Sequence, residues 1–135
     1  MTALINLLHE GGYSCVIRKG SDTRTFHKRG VADLYELLTY DPEFLCGSLI
    51  ADKVVGKGAA ALMILGKVGV VHADVISTPA LSLLHQYGLP VSFNQETDRI
   101  MNRNKDGLCP VETLCLNLES PEEMLTEIRN FINKI

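Results

Sequence analysis

From Leu49 onward, apolar runs of strand length alternate with stretches of helical spacing. Leu49–Val55, Lys57–Leu65, Gly69–Val75, Pro79–Tyr87 and Val91–Phe93 read in order as strand, helix, strand, helix and strand. Parallel strands need a crossover of about a dozen residues, and a helix is the usual one. The alternation therefore predicts a sheet whose later strands are parallel, with helices packed on its faces. The second helix carries its own punctuation: Ser77 and Thr78 as caps, Pro79 in the first turn and Gly88 as the stop.

The segment before Leu49 differs in kind. Residues 2–10 have an apolar stripe at Leu4, Ile5, Leu7 and Leu8 and stop at Gly11-Gly12, which predicts a short helix. Tyr13–Arg18 and Thr23–His27 are strand-like runs around Lys19-Gly20-Ser21-Asp22, a hairpin with a four-residue loop. Val31–Thr39 returns to helical spacing, and Pro42 marks an irregular link. Towards the end, Cys109–Leu116 reads as a short helix, and Ser120-Pro121-Glu122-Glu123 as a capping box opening the last one. The expected whole is one α/β domain with a mixed sheet opened by a hairpin.

The bulk numbers suit that expectation. A chain of 135 residues with 46% hydrophobic and 21% charged side chains can bury a single core without disulfides or metal. Its net charge of −3 and lack of a basic run speak against a nucleic-acid partner. The small sets Lys53/Lys57 and Arg99/Arg103/Lys105 suit a phosphorylated small molecule better. Met1–Glu10 lacks the pattern of a signal peptide, and no apolar stretch approaches a membrane span. The expectation is a cytoplasmic protein with no membrane partner, its four cysteines reduced. Cys15 and Cys46 read as small buried hydrophobes.

In open α/β sheets, ligands sit at the carboxyl ends of the strands, facing helix N-termini. Three groups of residues compete for that surface. In Ala51–Ala61, Asp52 and Lys53 place charge in an otherwise apolar strand, and Gly56 and Gly58 flank Lys57 at a helix start suited to an anion. This is not a P-loop: Ala51 stands where the first glycine is needed, and Gly58 where Ser or Thr is needed. In Asn102–Glu112, a polar loop with Asn102 and Arg103 leads to Cys109 at a helix start, a setting that lowers a thiol pKa, with Glu112 three residues on. In Val70–Val75, His72 and Asp74 share one side of a strand and can pair. His9, His27 and His85 have no partner in spacing.

A zinc deaminase signature needs H-x-E followed by P-C-x-x-C. Here His72-Ala73-Asp74 supplies Asp for Glu, and Cys109 and Cys115 lie too far apart to share a helix face. No metal and no cofactor are expected.

The Ala51–Ala61 run, Val75–Leu81, and the Asn-Arg…Cys-Pro-x-Glu block from Ile100 to Glu112 resemble an uncharacterised bacterial and archaeal family. That family is placed in the cytidine deaminase-like fold. The resemblance spans nearly the whole chain. It implies a three-layer α/β/α sandwich with a mixed sheet, but no zinc ligands: the corresponding helix starts, Gly56–Ala59 and Ser77–Pro79, hold no His, Cys or Glu.

The resulting expectation is a pocket for a phosphorylated or nucleotide-like small molecule. Gly56, Lys57 and Gly58 would cradle its anion, with Arg103 assisting. Lys53, Ser77, Thr78 and Asn102 would line the site, and for any chemistry Cys109 would be the nucleophile with Glu112 or Asp52 moving protons. Two other classes stay open: a non-catalytic module that assembles as a homodimer through an apolar face, and a thiol redox or sulfur-relay protein centred on Cys109.

Overall fold

The computed structural model describes residues 1–28, 31–100 and 110–133. Helix α1 (Thr2–Glu10) precedes a hairpin of β1 (Cys15–Lys19) and β2 (Asp22–Phe26). Helices α2 (Ala32–Tyr40) and α3 (Pro42–Leu45) lead to β3 (Leu49–Val55), α4 (Lys57–Leu65), β4 (Val70–Ser77), α5 (Thr78–Gln86) and β5 (Val91–Thr97). Helices α6 (Pro110–Cys115) and α7 (Pro121–Asn133) close the chain.

The five strands form one sheet in the order β2-β1-β3-β4-β5. β1 runs antiparallel to both β2 and β3, whereas β3, β4 and β5 are parallel. The expected mixed sheet, hairpin first and parallel strands later, is therefore present. The hairpin loop is tighter than expected. Lys19 pairs with Asp22, leaving only Gly20 and Ser21 in the turn. Gly20 has φ +59°, the conformation that a two-residue turn with glycine in its first position requires. The link at Pro42 is a short helix, with proline in its first turn where the missing N–H costs nothing.

Alternation along the strands divides the interior in two. Val16 and Ala51 meet Leu4 and Leu8 of α1, while their neighbours Cys15, Ile17 and Ile50 belong to the larger core. That core is organised around α4. After Lys57 its sequence is apolar on every side, and Ala59, Ala60, Ala61, Leu62 and Met63 are all buried. A helix with no polar face must be enclosed, and α2, α5, α6 and α7 all pack against it. α7 is one-sided by contrast, with Met124 and Ile128 buried and Glu122, Glu123 and Glu127 outside or partly so. One half of its capping box is formed: the Glu123 N–H donates to Ser120 Oγ at 3.2 Å, while the Glu123 carboxylate accepts from the Ser120 hydroxyl at 3.0 Å.

β5 is longer than its apolar start suggests, because Gln95–Thr97 stay paired to β4. Backbone pairing carries that edge beyond its apolar start. Among the described residues no helix is long and apolar enough to cross a membrane.

Candidate functional site

β3 ends at Val55 and passes through an extended Gly56 (φ −98°, ψ 178°) directly into α4. No side chain of its own caps this helix. The cap comes from a distant part of the chain instead: Glu112 of α6 accepts the Lys57 backbone N–H through Oε2 at 2.9 Å. An anion at that position meets both the free N–H and the positive end of the helix dipole. A side chain at residue 56 would destroy the arrangement, since a Cβ there would lie 2.4 Å from Glu112 Oε2. Gly58 is constrained in the same way, its Cβ position lying 2.4 Å from Val111 Cγ1 and 3.3 Å from Ile128 Cδ1.

The clamp is reciprocal. Lys57 Nζ donates to the carbonyls of Leu116 at 3.0 Å and Leu118 at 2.7 Å, just past the end of α6. Helix ends leave carbonyls unpaired, and a cation there satisfies them. Glu112 is 1% exposed, and its other oxygen, Oε1, has no partner among the described residues. Such an orphaned acceptor calls for an explanation in a native core.

The neighbouring helix start is built differently. Ser77 is fully buried and its Oγ accepts the Ala80 N–H at 3.2 Å. The Thr78 hydroxyl lies 2.8 Å from Glu96 Oε2 and 3.3 Å from the Thr97 carbonyl, fastening the end of β5 to α5. Beside these two starts, a groove of about 390 Å³ is lined by Lys57, Pro79, Ser82, Gln86, Leu118 and Glu119.

The family model for a domain of unknown function, DUF1893, matches residues 3–132. The chain belongs to the DUF1893 family. A crystal structure of a DUF1893 family protein (TM1506) from Thermotoga maritima is similar, with a TM-score of 0.88 and 29% sequence identity. The alignment covers 96% of this chain and 87% of that one. No curated protein matches the chain significantly.

Within this DUF1893 domain the expected site residues divide. Gly56, Lys57, Gly58 and Glu112 come together, and Ser77 and Thr78 occupy the adjacent strand end. Cys109, Asn102 and Arg103 lie outside the described residues. The phosphate cradle expected at Gly56-Lys57-Gly58 needs correction, because the protein's own carboxylate already holds the Lys57 N–H and the Lys57 ammonium serves two carbonyls. A second anion there would meet like charge at close range.

Asp52 turns towards the hairpin. It is the cross-strand partner of Cys15, and its Oδ1 accepts the Val54 N–H at 3.2 Å. Burial pushes its carboxyl up to about 7, against the pull of hydrogen bonds from Val54, Cys15 and Lys53. Burial, helped by the charges of Asp52 and Asp33, also raises the Cys15 thiol well above its usual range. Lys53 is exposed. Cys46, expected inside, is exposed as well, because it follows the last turn of α3.

His72 and Asp74 do face one another, Nε2 to Oδ1 at 3.6 Å. His9, which has no partner in sequence spacing, meets Asp74 Oδ2 at 2.7 Å from the end of α1. Nothing short of the three-dimensional pairing could have joined residues this distant. Among the described residues, no three His, Cys, Asp or Glu side chains are grouped to hold a metal.

Proposed function

We propose that this chain is a small-molecule-binding protein on a cytidine deaminase-like scaffold, and that its ligand presents hydrogen-bond donors to Glu112. The buried, unpartnered Oε1 of Glu112 is the observation that carries this reading. A carboxylate oxygen accepts hydrogen bonds and donates none, so the complementary group is an N–H or O–H. Oε2 is already engaged with α4, which fixes the carboxylate and leaves Oε1 as the free acceptor. A planar ring with an amide or amino edge, as in a nucleobase or nucleoside, fits this requirement better than a bare phosphate does. Its location at the carboxyl ends of parallel strands supports the reading, as does the hairpin-first order of the sheet.

The test is a panel of nucleosides, free bases and sugar phosphates, followed by thermal shift and calorimetry on wild type and Glu112→Gln. The substituted amide still offers one oxygen to Lys57 but turns a donor towards the ligand. A donor-bearing nucleoside should stabilise the wild type, and Glu112→Gln should weaken that binding by about tenfold or more. Sugar phosphates should bind no better than their unphosphorylated counterparts. Absence of binding across the panel, or binding unchanged in Glu112→Gln, would overturn the proposal.

A further inference from the structure

A second constellation lies away from Glu112, on β4 and β5. His72 and Ser92 are cross-strand partners in the parallel pairing, with His72 Nδ1 2.9 Å from Ser92 Oγ. The His72 side chain is 7% exposed, and its Nε2 has no hydrogen-bond partner among the described residues. Asp74 Oδ1 faces that nitrogen at 3.6 Å. Asp74 is itself held from two sides, by His9 Nε2 at 2.7 Å and by Asn94 Nδ2 at 3.4 Å.

The carboxylate decides the tautomer. A bare Nε2 lone pair would face the oxygens of Asp74, which is repulsive, whereas an Nε2–H points positive charge at them. With the proton on Nε2, Nδ1 can only accept, so the Ser92 hydroxyl must be the donor. Ser92 is exposed on the edge strand, while the imidazole behind it is enclosed. A hydroxyl open to solvent, an imidazole accepting its proton and a carboxylate facing the imidazole's other nitrogen are the parts of an activated nucleophile.

We propose that Ser92 is a nucleophilic hydroxyl that accepts acyl groups from activated esters, with His72 as its base and Asp74 positioning the imidazole. Ser92 Oγ bonds to the carbonyl carbon while its proton passes to His72 Nδ1. The ester C–O bond then breaks, and the departing oxygen takes that proton, leaving acyl-Ser92 and neutral His72. Water attacks the acyl group by the same proton path and releases the acid. The protein undergoes no net change, and no oxidant or reductant is needed. This site is independent of the ligand reading at Glu112.

The experiment treats the full chain with p-nitrophenyl acetate, and separately with a fluorophosphonate, and quantifies modification by peptide mass spectrometry. Exposed Ser21 and Ser82 serve as internal references within the same molecule. Ser92 should be modified at least about tenfold faster than either, since a positioned base contributes a hundredfold or more in established cases. His72→Gln should bring Ser92 down to the reference rate, and Asp74→Asn should slow it severalfold, with circular dichroism reporting retention of the fold. A wild-type Ser92 that reacts no faster than Ser21 and Ser82 would overturn the proposal. So would an undiminished rate in a folded His72→Gln protein.

Discussion

The carboxylate of Glu112 holds the backbone N–H of Lys57, and the ammonium of Lys57 holds the carbonyls beyond α6, so each residue caps the other's helix. Two helices remote in sequence are thereby fastened end to end at the mouth of the parallel strands. The arrangement makes Glu112 both a structural cap and the free acceptor of the candidate site. The two roles separate by substitution.

Glu112→Ala removes the α4 cap and leaves the Lys57 N–H without its acceptor. The expected loss is about 1–3 kcal/mol in urea unfolding. Glu112→Gln keeps an oxygen on that N–H and gives up mainly the charge–dipole contribution, so it should cost about 1 kcal/mol or less. Equal losses in the two variants would mean that the hydrogen bond to Lys57 contributes nothing.

Gly58→Ala tests packing against intrinsic preference. Inside a helix, alanine is favoured over glycine by about 1 kcal/mol. Here the new methyl would meet Val111, a stiff β-branched side chain, at 2.4 Å. We expect net destabilisation of about 1–3 kcal/mol, as for overpacked cores. A stabilised Gly58→Ala would mean that α6 yields readily.

Asp52 gives the fold a pH dependence of definite sign. Its carboxyl is raised from 3.8 to about 7 in the folded chain. The folded state thus binds the proton more tightly than the unfolded state, and this contribution is fully present below pH 4. It declines as pH rises through 7. Asp52→Asn should flatten that part of the stability curve, gaining on the order of 2 kcal/mol relative to wild type between pH 4 and pH 8. Parallel curves for the two proteins in chemical denaturation would contradict the assignment.

Thiol labelling should separate the cysteines of the described core. Cys46 is exposed, and Cys15 and Cys115 are buried. Iodoacetamide at neutral pH should modify Cys46 in the native protein at a rate near that of a free thiol. Cys15, with its thiol raised by burial and by Asp52 and Asp33, should react only as the chain opens. Peptide mapping over time reads the difference directly, and early labelling of Cys15 would count against its burial.

The parts legible in the sequence were those whose signal is local. Leu49–Val55 and Lys57–Leu65 have the bounds expected of them, because a strand that is apolar apart from Asp52 and Lys53 ends at a glycine and an alanine-rich helix begins there. The capping box at Ser120 is a four-residue pattern, and its Glu123 N–H to Ser120 Oγ bond forms. What stayed hidden depends on distant pairing. Asn94–Thr97 is polar, with Asn94, Gln95 and Glu96 exposed, so pairing of Gln95–Thr97 with β4 is what extends the strand. Glu112 reads as a group placed to move protons beside Cys109, yet it caps α4, 55 positions away from its partner. His9 finds Asp74 across 65 positions. Spacing rules describe neighbours along one element, and none of these contacts is of that kind.

The division of the interior into two clusters has a consequence for how the molecule comes apart. α1 packs on β1 and β3 and shares its buried contacts with Val16 and Ala51, not with the cluster around α4. Detaching it would expose Leu4 and Leu8 and release His9 from Asp74 while the five strands kept their pairing. The amides of the first ten residues should therefore exchange through local excursions cheaper than global unfolding.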